Sequence, residues 1–99
     1  MSHYMIQNLN KAFESRVRLG IMSALMVNES LDFNGFKDLL DVTDGNLASH
    51  TRALEKLEYI RVEKSFIGRK PNTRFSITKL GRKAFEQHLS ALEKLLKNL

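Results

Sequence analysis

The chain of 99 residues contains no cysteine, no tryptophan and a single proline. Without cysteine there is no disulfide framework and no thiolate metal site. A reducing cytoplasm fits that composition. No run approaches the roughly 18 consecutive apolar residues that a membrane-spanning helix needs. The segment from Met1 to Asn10 has no apolar centre of the kind a signal peptide carries. Internal repeats, low-complexity stretches and Pro/Gly-rich linkers are also missing. Gly-rich phosphate loops are absent, and His3, His50 and His88 show no metal-ligand spacing. Asp38 and Asp41, beside a short helix end, read as solubility charges. These absences weigh against an enzyme, and no metal or cofactor is expected.

What is present fits one modest domain: 42% hydrophobic and 27% charged residues. A core of this size is marginal by itself, so a subunit interface would add useful stability. The net charge of +5 suggests a polyanionic partner. Its distribution says more. Between Lys64 and Phe85 stand Lys64, Arg69, Lys70, Arg74, Lys79, Arg82 and Lys83, with no acid among them. A solvated basic loop is the plain reading of that stretch. A surface that tracks phosphates is the functional one.

Periodicity orders the elements. Leu9, Phe13, Val17, Ile21 and Leu25 recur every four residues and predict a helix over residues 8–27. Leu31-Asp32-Phe33 alternates as a short strand. Asn34 is a candidate N-cap for a short helix carrying Phe36, Leu39 and Leu40. After the turn at Asp41-Val42-Thr43, Thr43 or Asp44 caps a helix that runs to about Tyr59. The period then falls to two. Ile60, Val62 and Phe66-Ile67 make one strand, and Thr73, Phe75 and Ile77 a second. Gly68-Arg69-Lys70-Pro71-Asn72 forms a basic turn between them. Thr78 caps a last helix, residues 79–97. The expected class is mainly α with a small β-hairpin, in the order α-β-α-α-β-β-α, with residues 1–99 as one domain.

Two short helices with a tight turn, followed by a hairpin, make a winged helix-turn-helix. Its third helix must serve the core on one face and a DNA major groove on the other. At about 100° per residue, Leu47, Thr51, Leu54 and Glu58 share one face. Gly45, Asn46, Ser49, Arg52, Ala53 and Lys56 hold the opposite one. Gly45, Asn46 and Ser49 are small enough for close backbone approach to base edges. Arg52 can reach guanine or phosphate, and Lys56, further along, suits a phosphate. Asn46 has a plainer role as a cap, and Ser49 as a solvated side chain. His50, at the edge of the core, is either a half-buried structural residue or a base reader. Arg69, Lys70 and Arg74, around a turn stiffened by Pro71, are suited to phosphates or a narrow minor groove.

Three segments resemble known regulators. Asp44-Gly45-Asn46-Leu47-Ala48-Ser49-His50-Thr51-Arg52-Ala53-Leu54-Glu55-Lys56-Leu57-Glu58-Tyr59-Ile60 is similar to the recognition segment of MarR- and ArsR-like winged-helix proteins. There the helix ends in a Leu-Glu-x-x-Gly-(Leu/Ile)-(Val/Ile) pattern, and Tyr59 aligns with that glycine. Arg16-Val17-Arg18-Leu19 resembles the start of that family's first helix. Phe75-Ser76-Ile77-Thr78-Lys79-Leu80-Gly81 resembles its Tyr-x-Leu-Thr-x-x-Gly junction. The resemblance covers residues 12–85. It implies sequence-specific binding of double-stranded DNA as a dimer, third helix in the major groove and wing on backbone or minor groove. It is strongest to small members that lack an effector domain.

In the last helix Phe85, Leu89, Leu92, Leu96 and Leu99 are spaced 4, 3, 4, 3, an a/d seam widened by Leu80 and Leu95. The seam reaches the final residue, beyond what a small body can cover. It therefore predicts a homodimer held by residues 79–99. A winged-helix module that binds protein instead of DNA is the rival reading. Such modules usually lose the basic wing, which this chain keeps.

Overall fold

A computed structural model describes residues 6–98 of the chain. Two 3₁₀ turns, Ile6–Asn8 and Lys11–Phe13, lead into α1, Arg16–Val27. Then follow β1 (Leu31–Asp32), α2 (Phe33–Leu40), α3 (Asp44–Lys56), β2 (Ile60–Ile67), β3 (Lys70–Ile77) and α4 (Lys79–Asn98). The order is the expected one. Antiparallel β3 lies between β1 and β2 in a three-stranded sheet.

Local chemistry sets the boundaries. Of the apolar stripe from Leu9 to Leu25, Phe13, Ile21 and Leu25 are buried and Val17 packs against the core, but the segment is not one helix. Asn10 accepts from the Ala12 amide and Ser15 from the Arg18 amide, so each caps a new start. α2 is capped by Asp32, whose carboxylate accepts from Gly35 N, two residues before the expected Asn34. Thr43 caps α3. Thr78 Oγ1 accepts from Gly81 N at the start of α4.

The core joins Phe13, Ile21, Met22, Leu25, Phe36, Leu47, Leu54, Ile60, Phe75 and Phe85. Phe13 stands at its centre, edge-on to Phe85 at 5.2 Å and tilted against Tyr59 at 5.5 Å. The second 3₁₀ turn is thereby fastened between the end of α3 and the first half of α4. Asn10 strengthens that link. Its backbone N donates to His88 Nδ1 at 2.9 Å, and its side-chain amide donates to Tyr59 Oη at 3.0 Å.

Two expectations are corrected here. α3 ends at Lys56, with Leu57 as its C-cap, in a Schellman motif: Tyr59 N donates to Leu54 O and Glu58 N to Glu55 O. The residue in left-handed conformation is Glu58, at φ 62°. The position that suits glycine is therefore Glu58, one residue before Tyr59. The hairpin is also longer than expected. Ile67 pairs with Lys70, so only Gly68 and Arg69 form the turn. Gly68 has φ 65° and Arg69 does not share it, the pattern of a type II′ turn. Pro71 belongs to β3, opposite Phe66. In a two-residue hairpin the Ile67–Lys70 pair exchanges both hydrogen bonds, so the next pair exchanges none, and its missing N–H is not needed.

Candidate nucleic-acid interface

α3 is anchored through one face. Leu47 and Leu54 are fully buried, and Thr51 is nearly so, its hydroxyl donating to Leu47 O at 2.8 Å. That leaves Gly45, Ser49, Arg52 and Lys56, spaced 4, 3, 4, as one exposed stripe with Asn46 beside it. Thr43 serves as the cap, so the Asn46 side chain is free of that duty. A Cβ added at Gly45 would meet nothing within 4 Å, so this glycine leaves open space at the helix start. Among the described residues Arg52, Lys56, Arg69 and Lys70 make no hydrogen bond or ion pair. Their charges are available to a partner. Asp44, in the first turn, is held by Lys37 at 2.7 Å, which ties α2 to α3 and offsets an acidic charge near the stripe.

His50 does not join the stripe. It is half-buried, and its Nδ1 accepts from Arg18 Nε of α1 at 3.0 Å. Burial, with the Arg18 charge, lowers its pKa below the usual imidazole value. The residue works as a strut between α1 and α3 in its neutral form.

The wing does not keep its expected charges together. Arg69 and Lys70 are exposed at the tip. Arg74 lies mid-strand on the outer face, aligned with Asp32 and Glu63. Its Nε donates to Ser30 Oγ at 2.9 Å and its terminal nitrogen to Ser30 O at 3.2 Å. It braces the sheet edge, apart from Arg69 and Lys70. Lys79, Arg82 and Lys83 start α4, at the other end of the hairpin. Eight strand residues at about 3.3 Å each separate the two ends, so the acid-free stretch is two basic surfaces.

A groove of about 410 Å³ separates α3 from the inner face of the hairpin. Arg52 and Glu55 line one wall, Lys64 and Pro71 the other. Lys64 belongs to the acid-free basic stretch, but its place in this groove, facing α3, was not assigned from the sequence. The signal that could have found it is the period-two alternation: placing Val62 inward also places Lys64 and Phe66 on that face.

In α4, Phe85 is a correction to the proposed seam. It is 2% exposed, packed on Phe13 within its own subunit, and has no surface to offer a partner. The inward face is Gly81, Phe85 and His88, continued by half-buried Ala91 and Leu95. Leu89, Leu92 and Leu96 are exposed, as is Leu80. Leu99, like His3, lies outside the described residues. Among those described, no group of His, Asp or Glu could hold a metal ion, and no helix is long and apolar enough to cross a membrane.

A tri-helical unit with a free polar stripe on its third helix, followed by a basic antiparallel hairpin, defines a winged-helix DNA-binding protein. The family model described as winged helix DNA-binding domain matches residues 17–96, and the chain belongs to that family. An uncharacterized protein of Methanocaldococcus jannaschii is 37% identical over 89 residues, covering 90% of this chain and 97% of the relative. The structure of a transcriptional regulator homologue from Pyrococcus horikoshii OT3 superposes with a TM-score of 0.77 at 31% identity, covering 94% and 97% of the two chains. A MarR-family transcriptional regulator from Silicibacter pomeroyi shares the fold at 13% identity, with a TM-score of 0.70, over 96% of this chain and 63% of its own.

Proposed function

We propose that this protein is a homodimeric transcriptional regulator that reads a specific duplex sequence through α3. The observation that carries this reading is the exposed stripe of Gly45, Asn46, Ser49, Arg52 and Lys56. Its side chains make no hydrogen bond or ion pair among the described residues, and it has the width of an element that enters a major groove. Arg52 and Asn46 face base edges, while Lys56, Arg69 and Lys70 hold backbone or a minor groove. Arg74 and His50 support these elements from behind. Leu89, Leu92 and Leu96, with exposed Ile6 nearby on the first 3₁₀ turn, form the interface between protomers. Two-fold symmetry then sets the two α3 helices about 34 Å apart along the duplex. The protein acts by binding alone, in the cytoplasm, and the Pyrococcus horikoshii structure's description as a transcriptional regulator homologue supports the regulatory part of the reading.

Selection of bound duplexes from a random pool tests the first claim. A two-fold related motif with half-sites about one helical turn apart is expected. Competition against scrambled DNA then separates the roles. Asn46→Ala and Arg52→Ala cost about 1–3 kcal/mol on the selected site and much less on scrambled DNA. Lys70→Ala weakens both alike and reduces the salt slope by about one unit for each phosphate it no longer holds. Recovery of no duplex motif overturns the reading in favour of a protein-binding module. Sedimentation of the wild type as a monomer at tens of micromolar overturns the dimer, and Leu92→Glu with Leu96→Glu is expected to produce that monomer by placing charges in a dry interface.

A further inference from the structure

Five of the six phenylalanines lie in the core or pack against it. Phe66 is 72% exposed, two residues from the tip of the wing. Its neighbour Ile67, on the opposite face, is 67% exposed. The register explains why nothing among the described residues covers Phe66. It continues the inner face of β2 beyond Val62 and Lys64, past the end of the groove that α3 walls. Its cross-strand partner is Pro71. The pair is an apolar cap, and its proline side has no amide N–H to desolvate. Around it stand Lys64, Arg69 and Lys70, all exposed, with Arg52 across the groove. An aromatic ring inside a ring of unpaired cations fits a polyanion that also has apolar surface. Stacked bases between two phosphate strands are such a surface.

We propose that Phe66, backed by Pro71, is an apolar wedge that enters the minor groove beside the α3 site, partly unstacks one base step and bends the duplex. The inference rests on the DNA-binding reading of α3 and the wing. Its inner-face position is continuous with the α3 groove, so the wedge and the recognition stripe engage one duplex together. Phe66 carries no charge, so its contribution is independent of salt, unlike that of Arg69 and Lys70. Pyrimidine–purine steps unstack most easily. The selected motif therefore shows such a step at an outer position that no side chain reads by hydrogen bonding.

The test uses the selected duplex, labelled at both ends for energy transfer, with 2-aminopurine at the outer step. Wild-type protein raises both the transfer efficiency and the 2-aminopurine fluorescence. Phe66→Ala loses both signals, binds about tenfold more weakly and keeps the wild-type salt slope. Phe66→Leu, still a wedge, retains most of the bend. A single mismatch at the step tightens binding by the wild type and does not tighten binding by Phe66→Ala. Because Phe66 is exposed, the alanine variant keeps the wild-type melting temperature. Wild-type binding with neither signal overturns the wedge and leaves the DNA reading standing. Failure to bind any duplex overturns both. If Phe66→Ala bends DNA normally but no longer floats with phosphatidylserine vesicles, the tip serves a lipid surface and the wedge is wrong.

Discussion

The two ends of the hairpin obey different rules. At its base, Ile60 is buried and Phe75 packs on Phe36 at 5.6 Å between ring centres. Thr78 N donates to Tyr59 O, while Thr78 Oγ1 donates to Glu58 O at 2.6 Å and accepts from Gly81 N. One threonine thus joins the end of α3, the end of β3 and the start of α4. At the tip, every residue from Glu63 to Pro71 is exposed. The base is specified by the subunit's own packing. Among the described residues the tip has no packing partner, so its apolar and basic residues are open to something outside the subunit. The difference predicts that substitutions at the base cost folding, whereas those at the tip cost binding.

The largest effect is expected at Gly81. A Cβ there would stand 2.0 Å from the Tyr59 carbonyl oxygen and 2.7 Å from its carbon, both rigid backbone atoms. Gly81→Ala must push α4 away from the hairpin base, at a cost of about 3 kcal/mol. Gly68→Ala at the tip meets no atom within 4 Å and suffers only from its positive φ, a cost of about 1 kcal/mol. Urea denaturation of the two variants tests the contrast. Equal losses would show that the junction is not the tight point of the fold.

His88 gives the next effect, through pH. It is 7% exposed, edge-on to Phe13 and stacked on Phe85, with Glu14 as the acidic group near it. Burial lowers its pKa, and the Glu14 carboxylate partly opposes this. The neutral ring is also the one that can accept the Asn10 amide. Since the folded pKa lies below the unfolded one, the unfolded chain takes up the proton first. The contribution is complete above about pH 6.5 and is lost as pH falls through the folded value. His50 titrates in the same direction. Between pH 7.5 and 5.5 the denaturant midpoint should therefore drop for the wild type and drop less for His88→Phe. Identical drops would remove His88 as a source of the pH dependence. At pH 7.5, His88→Ala should cost about 2–3 kcal/mol from lost packing and the unpaired Asn10 amide.

The same division explains what can be read in advance. Element order, the buried face of α3 and the Thr78 cap follow from local signals: periodicity, capping side chains and the change of period after Tyr59. The exposed stripe on α3 follows from the same wheel. Interactions distant in sequence are not legible. Phe85 continues a leucine seam by spacing, but Phe13 claims its ring from 72 residues away. Arg74 has the sequence position of a wing cation, yet Ser30 binds it. The acid-free basic stretch reads as one surface because strand length separates charges that sequence keeps adjacent. Phe66 reads only as a strand residue, since alternation assigns a face but does not say where that face runs out of neighbours.

The smallest expected effect lies where the hairpin base meets α3. Glu58 occupies the C′ position of the Schellman motif at φ 62°, a conformation that strains a side chain with a Cβ. It also places a negative charge beside the negative end of the helix dipole. The structure keeps it because Glu58 offers only backbone to its neighbours: its N–H goes to Glu55 O and its carbonyl accepts from Thr78. Glycine preserves both bonds. Glu58→Gly should therefore stabilise the protein by about 0.5–1 kcal/mol, in line with the relief of left-handed strain. Glu58→Ala separates the two causes, because it removes the charge and keeps the Cβ. Thermal denaturation of the three proteins decides between them. A gain with glycine and little with alanine assigns the effect to backbone strain, whereas equal gains assign it to the carboxylate. Since residue 58 sits at the base and outside the exposed stripe, neither variant should alter the specificity ratio for DNA, and a change there would show that the base and the tip are coupled.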